Sequence, residues 1–159
     1  MRNILTAISI VIVAVMGASI AASAQHKVIY HTIDKSIVRG INALNAGQME
    51  LARDHFAKAV THNLNKQVKG DVLSNLCSIE LKLGNYAAAK TSCIGAVNIK
   101  RHDWRRHVNL GHALRELGEL DKAENHYSRA LKLNDKAIIA QKSLASLKIE
   151  RSLQVASVQ

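Results

Sequence analysis

Proline is absent from the 159 residues, and aromatic side chains are nearly so: one Phe, one Trp and three Tyr. The β-branched runs that suit strands are confined to the N-terminus. With so little strand-forming material beyond it, helix is the expected secondary structure. Cysteine occurs only at 77 and 93. That spacing is not C-x-x-C, which argues against a catalytic thiol pair. No H-E-x-x-H, no G-x-S-x-G, no phosphate-cradling glycine loop and no closely spaced carboxylate pair occurs. An enzyme is therefore not expected, nor a metal or cofactor. His102, His107 and His112 are five apart and do not stack on one helical face. His55 and His62 can share a face but lack a third ligand nearby. The histidines read as exposed polar positions with some pH sensitivity.

What the chain does have is a folding composition, 48% apolar and 21% charged, with a net charge of +10. Arg2 is the only charge in the first 24 residues, so their removal takes the net charge from +10 to +9. A surface so basic attracts anions, whether acidic proteins, headgroups, nucleic acid or acidic cell-wall polymer, or else serves solubility alone.

The N-terminus has the three-part layout of a secretory signal. Met1-Arg2-Asn3 is a basic start, Ile4 to Val15 is almost entirely apolar, and Ala22-Ser23-Ala24 is an A-x-A site before Gln25. It resembles a bacterial Sec signal, with no cysteine at the cut to suggest a lipoprotein. The expectation is cleavage after Ala24 and a periplasmic or secreted protein. The competing reading is an uncleaved anchor, since the apolar run continues through Ile20.

Residues 25–32 lack a helical period and form an expected extended lead-in. From Ile33 apolar positions recur at spacings of three and four. Ile37, Ile41 and Leu44 share a face, and Gly47 breaks the run. Further helices are expected from Met49 to about His62, Lys69 to Leu83, Tyr86 to Ile99, Asp103 to Leu117 and Leu120 to Leu133. A seventh runs from about Lys136 to Glu150, carrying Ile138, Leu144, Leu147 and Ile149. Residues 151–159 are expected to be a disordered tail. Leu83-Gly84-Asn85-Tyr86 and Leu117-Gly118-Glu119-Leu120 repeat each other at a distance of 34 residues, and Ala89, Cys93 and Ala96 match Ala123, Tyr127 and Ala130 at the same step. A fixed period in this range marks a solenoid, whose units bury their apolar faces only against neighbours.

The pattern resembles the tetratricopeptide repeat, a helix–turn–helix unit with small residues at set positions, a glycine at its turn and a large residue in its second helix. Those places hold Gly111, Ala123, Ala130, Gly118 and Tyr127 in a unit at about 104–137. They hold Cys77, Ala89, Ala96, Gly84 and Cys93 at about 70–103, and Gly40, Ala52, Ala59, Gly47 and Phe56 at about 33–66. The step from Gly47 to Gly84 is 37, so three residues are inserted near Asn65 to Lys69. The family's proline near each unit's end is missing; Leu64, Arg101 and Asp135 stand there. Residues 138–150 match a terminal capping helix. The resemblance implies an all-α, right-handed solenoid of three units plus cap, a non-enzymatic scaffold that binds a protein or peptide in its concave groove.

In this family the first helix of each unit lines that groove. By position it takes Ile37, Ile41 and Leu44 from the first unit, Asn75 and Lys82 from the second, and Arg105, Asn109, His112 and Arg115 from the third. One end is then apolar and the other basic and amide-rich, suited to an extended peptide with acidic groups. Asn75 and Arg105 partly match the family's carboxylate-clamp positions, but Ile37 and Ile41 stand where that clamp needs polar residues, so the clamp itself is not assigned. No nucleic acid is expected. Cys77 and Cys93 fall on facing helices of one unit. In an oxidising compartment they can bridge, closing a loop of about 16 residues worth ~3 kcal/mol. Two buried unpaired thiols are the other reading. Lys100, Arg101, Trp104 and Arg106 form a basic patch with the only tryptophan, either an interface centre or a packed seam with solvated neighbours. The runner-up function is a basic envelope-associated module that binds anionic cell-wall polymer or membrane surface.

Overall fold

Three glycines take a backbone conformation that other residues avoid: Gly47, Gly84 and Gly118 have φ of +73°, +76° and +74°. In each case the amide after the glycine bonds back to the carbonyl five residues earlier: Gln48 to Ala43, Asn85 to Glu80 and Glu119 to Leu114, each at 2.9 Å. This closes the first helix of a pair and reverses the chain in three residues. In the computed structural model, which describes residues 34–156, the helices so paired are α1 (Lys35–Asn45) with α2 (Met49–Val60), α3 (Lys66–Lys82) with α4 (Tyr86–Ile99), and α5 (Trp104–Glu116) with α6 (Leu120–Leu133). A seventh helix, α7 (Ile138–Ala156), packs on α5 and α6. No strand occurs among the described residues. The expected signal peptide and extended lead-in lie outside them.

Each pair is held by small residues that let two helices approach closely. Ala52, Ala59, Ala89, Ala123 and Ala130 are fully buried, with Phe56 and Tyr127 filling the space between helices. The core continues from pair to pair: Val72, Leu76 and Ile79 of α3 join Phe56, while Leu110 and Leu114 of α5 join Cys77, Cys93 and Tyr127. Leu147 of α7 closes the end.

Two boundaries differ from the sequence expectation. The helix α3 starts at Lys66, where the Asn65 side chain accepts from the Val68 amide at 2.9 Å. The inserted residues are thus absorbed as an extra turn of helix, giving α3 17 residues against 13 for α5. Helix α7 runs to Ala156 instead of ending at Glu150. Arg151, just past the expected end, pairs with Asp121 at 2.6 Å and with Glu124 of α6, which ties the added turn down. The buried face of α7 is also set differently. Ala137, just ahead of the helix, and Ala140, Leu144 and Leu147 within it, spaced three, four and three, pack inward. Ile138 and Ile149 point to solvent.

The solenoid has two unlike edges. The glycine turns form one. The junctions between pairs form the other, where the start of α5, the end of α6 and the start of α7 meet around Trp104, Val108, Leu131 and Ala137.

Candidate functional site

By repeat position α1, α3, α5 and α7 are the helices expected to line the groove. Asn75 on α3 and Asn109 on α5 are 34 residues apart and so share one register position. Both are half-buried, and neither side-chain amide has a hydrogen-bond partner among the described residues. Each amide carries a donor and an acceptor, the pair an extended peptide backbone requires. Ser74 and Ser78 flank Asn75, half-buried likewise, and Lys82 is exposed at the far end of α3.

The basic end of the groove is partly self-satisfied. Arg115 donates from Nε to Glu150 at 2.8 Å and from a terminal nitrogen to Ser146 at 3.1 Å, both on α7. His112 Nε2 lies 2.9 Å from the Ser143 hydroxyl, and its ring stands edge-on to Tyr127. Burial, and then the neighbouring Arg115 charge, hold the His112 imidazole below its ordinary value. His112 and Arg115 therefore latch the cap helix, and Arg115 meets a carboxylate already in the fold. Arg105 remains exposed at the other end of α5, its guanidinium 4.7 Å from the centre of the Trp104 ring.

The apolar end divides. Ile37 and Leu44 pack against the core formed by Phe56, Val72 and Leu76. Ile41 is 42% exposed, beside an equally exposed Val38. The expected three-residue apolar floor is reduced to Ile41 with Val38, because a helix of this pitch turns Ile37 and Leu44 towards α2 and α3.

The basic patch also needs correction. Arg106 is 4% exposed. It donates to the Gly70 carbonyl, to Asp71 at 2.7 Å and to Asp103 at 3.2 Å. Its guanidinium joins the start of α3, the end of α4 and the start of α5, and is a structural bolt. Lys100 pairs with the same Asp71 at 2.8 Å. Partial burial pushes the Asp71 carboxyl up, but hydrogen bonds and charge from Lys100 and Arg106 outweigh it and hold the group below its ordinary value. Arg101 and Arg105 are left as the exposed cations of this stretch, with Trp104 half-buried in the seam.

The histidines were expected at the surface, and His107 is buried. Its Nε2 meets the Arg101 carbonyl at 3.0 Å, and its Nδ1 meets Nδ1 of His126 at 3.0 Å. A carbonyl only accepts, so His107 Nε2 carries a hydrogen. In the doubly neutral pair His126 Nδ1 must then donate to His107 Nδ1. Burial, followed by the charge on His107, keeps His126 below its ordinary value. No cluster of three metal-ligating side chains occurs among the described residues.

Cys77 and Cys93 are joined, with Cα atoms 5.1 Å apart, at the centre of the α3–α4 contact. Between this pair and the next a cleft of about 320 Å³ is lined by Leu81, Tyr86, His112, Arg115, Glu116 and Tyr127. The Tyr127 hydroxyl is buried and makes no well-formed hydrogen bond, only a weak interaction with the Ser143 side chain, and burial pushes its pKa up to about 12. Sequence reasoning missed the Arg106 bolt, the two histidine contacts and the Arg115–Glu150 latch. Only the Asp103–Arg106 spacing of three was a visible signal for any of them.

Three helix pairs with positive-φ glycine turns, stacked in one register and closed by a cap helix, define an α-solenoid. Residues 104–136 match the family model of the tetratricopeptide repeat, and the chain folds as a tetratricopeptide-repeat solenoid. Among solved structures it is similar to the first such domain of Spaghetti (RPAP3) bound to the HSP90 peptide SRMEEVD. The two share 22% identity over 74% of this chain and 94% of that one, with a TM-score of 0.67. The second such domain of human RPAP3, in complex with the HSP70 peptide SGPTIEEVD, matches at 21% identity over 71% and 92% of the two chains, with a TM-score of 0.64. The Yersinia enterocolitica type III secretion chaperone SycD, in complex with a peptide of the translocator YopD, matches at 17% identity over 74% and 92%, with a TM-score of 0.64. No curated protein matches the sequence.

Proposed function

We propose that this protein is a non-enzymatic scaffold that holds an extended protein segment in its concave groove. The observation that carries the reading is the pair Asn75 and Asn109: two amides at one register position, half-buried and unused by the fold. Each can bond a ligand backbone in both directions, and the rigid helix pairs behind them lose little entropy on binding. Ligand specificity comes from the ends, Ile41 and Val38 for an apolar side chain, Arg105 and Lys82 for an acidic group. The peptide complexes of the similar domains support the mode of binding; their particular peptides are not carried over, because Ile37 and Ile41 stand where a carboxylate clamp needs polar residues. We further propose that the chain acts outside the cytoplasm after cleavage behind Ala24, as the A-x-A site suggests. The bridge between Cys77 and Cys93 accords with an oxidising compartment.

Crosslinked capture from the native compartment tests the groove, comparing wild type with Asn75→Ala, Asn109→Ala and Arg105→Glu. The reading requires that the variants lose partners that wild type recovers, with part of the wild-type binding surviving high salt. Recovery of the same partners by all three variants would sink the groove assignment.

A further inference from the structure

The two edges of the solenoid treat charge differently. At the turn edge most cations are held in cross-helix pairs, Lys90 with Glu119, Arg151 with Asp121 and Glu124, Arg115 with Glu150, while Lys82 stays exposed. At the junction edge at least two cations per junction stay without a carboxylate partner among the described residues. They include Lys58 at the end of α2 with Lys66 and Lys69 in the first turn of α3, Arg101 and Arg105 around the start of α5, and Lys132 and Lys136 before α7. Asp71 and Asp103 lie on this edge too, but Arg106 and Lys100 occupy them. Asp135 is the exposed acid left at the last junction.

The same junction carries the exposed apolar pair. Ile138 is 63% exposed and Ile139 56%, two and three residues after Lys136 in the first turn of α7. Below them Ala137 and Ala140 pack beside Trp104, whose ring supports Arg105. A soluble polyanion would use the cations and leave the isoleucines in water. The boundary between headgroups and acyl chains takes both: Lys and Arg at phosphate level, Ile a few ångströms deeper. No helix among the described residues is long and apolar enough to cross a membrane, so the contact is with a surface.

We infer that the junction edge around α7 docks on an anionic phospholipid bilayer, leaving the concave groove open to its own ligand. This surface is separate from the groove proposed above and shares with it only Arg105, which the test leaves intact.

Partition of the full chain onto vesicles of phosphatidylglycerol with phosphatidylcholine, against phosphatidylcholine alone, tests the inference. The apolar N-terminal run is common to every variant, so the excess on anionic vesicles isolates the edge. Each cation near an anionic surface is worth about fivefold in partition. Lys132→Gln with Lys136→Gln should therefore cut the excess about 25-fold. Ile138→Ser with Ile139→Ser should cut it roughly tenfold, while Ile94→Ser, at an isoleucine 39% exposed on α4, leaves it unchanged. The substituted positions are all exposed, so helix content and melting midpoint should stay at wild-type values. An unchanged excess in the lysine variant overturns the inference. So does loss in the lysine variant with none in the isoleucine variant, which would show attraction by charge alone without apolar docking in the bilayer.

Discussion

One contact recurs three times in this molecule and is made in two ways. In the first and third helix pairs an aromatic ring lies on a glycine: a Cβ on Gly40 would stand 3.0 Å from the Phe56 ring, and one on Gly111 would stand 2.5 Å from the ring of Tyr127. In the second pair the equivalent residues are Cys77 and Cys93, joined covalently. A ring fills volume and needs a bare backbone opposite. A bridge needs two short side chains and no volume at all. The same inter-helix position thus depends on packing in pairs one and three and on a covalent link in pair two. Only the middle pair can respond to redox state.

The comparison is broken most severely by removing the rings. Phe56→Ala and Tyr127→Ala should each cost about 3–5 kcal/mol, since both side chains are fully buried and the alanines around them cannot expand into the space. Urea midpoints read the loss. In the middle pair, Cys77→Ser with Cys93→Ser should cost ~3 kcal/mol in the chain-entropy account. Reductant should lower the wild-type midpoint towards that of the double variant, and intact mass should rise by two hydrogens. No mass change on reduction would show that the thiols were never joined. Next in size, Gly111→Ala drives a methyl into the Tyr127 ring and should cost about 1–3 kcal/mol, where the same change at an exposed helix position is mildly stabilising.

Tyr127→Phe sharpens the comparison from the other side. Phe56 does the same packing without a hydroxyl, and the Tyr127 hydroxyl is buried with no well-formed hydrogen bond, only a weak interaction with Ser143. Its removal should be neutral or stabilise by ~1 kcal/mol. A clear loss would mean that the hydroxyl has a bound partner in solution. The smallest effect is on pH. His112 and His126 are held below the ordinary value of 6.5, chiefly by burial. The unfolded chain then binds protons more readily than the folded one. Their contribution is complete above that value and is lost as pH falls through the lower folded values. Melting midpoints should drop between pH 7 and 5, and His126→Asn should flatten part of the slope. Asp71 titrates below this window and does not enter it.

The fold was legible because its rules are local and repeated. Gly84 and Gly118 set the period, and alanines at fixed positions showed where helices touch. The equivalence of Gly40, Cys77 and Gly111 is visible in the repeat pattern alone. What was not legible depends on side chains that reach across pairs. Arg106 looked like one more surface cation, because nothing in its neighbourhood shows that Gly70, 36 residues earlier, offers it a carbonyl. Arg115 looked free for the same reason, its acid lying 35 residues later on α7. Ile37 and Leu44 were placed in the groove by position in the repeat, and the rotation of α1 decided otherwise. Asn75 and Asn109 are half-buried and leave their side-chain amides unused by the fold, so their role rests on the proposed binding alone.

The central claim is that the partner lies against those two asparagines. A photoreactive amino acid at 78, beside Asn75 on α3, and another at 94, on α4, would locate it in the native compartment. The account predicts a protein adduct from position 78 that disappears with Asn109→Ala, and none from position 94. Adducts from 94 alone, or adducts from 78 that survive Asn109→Ala unchanged, would contradict it.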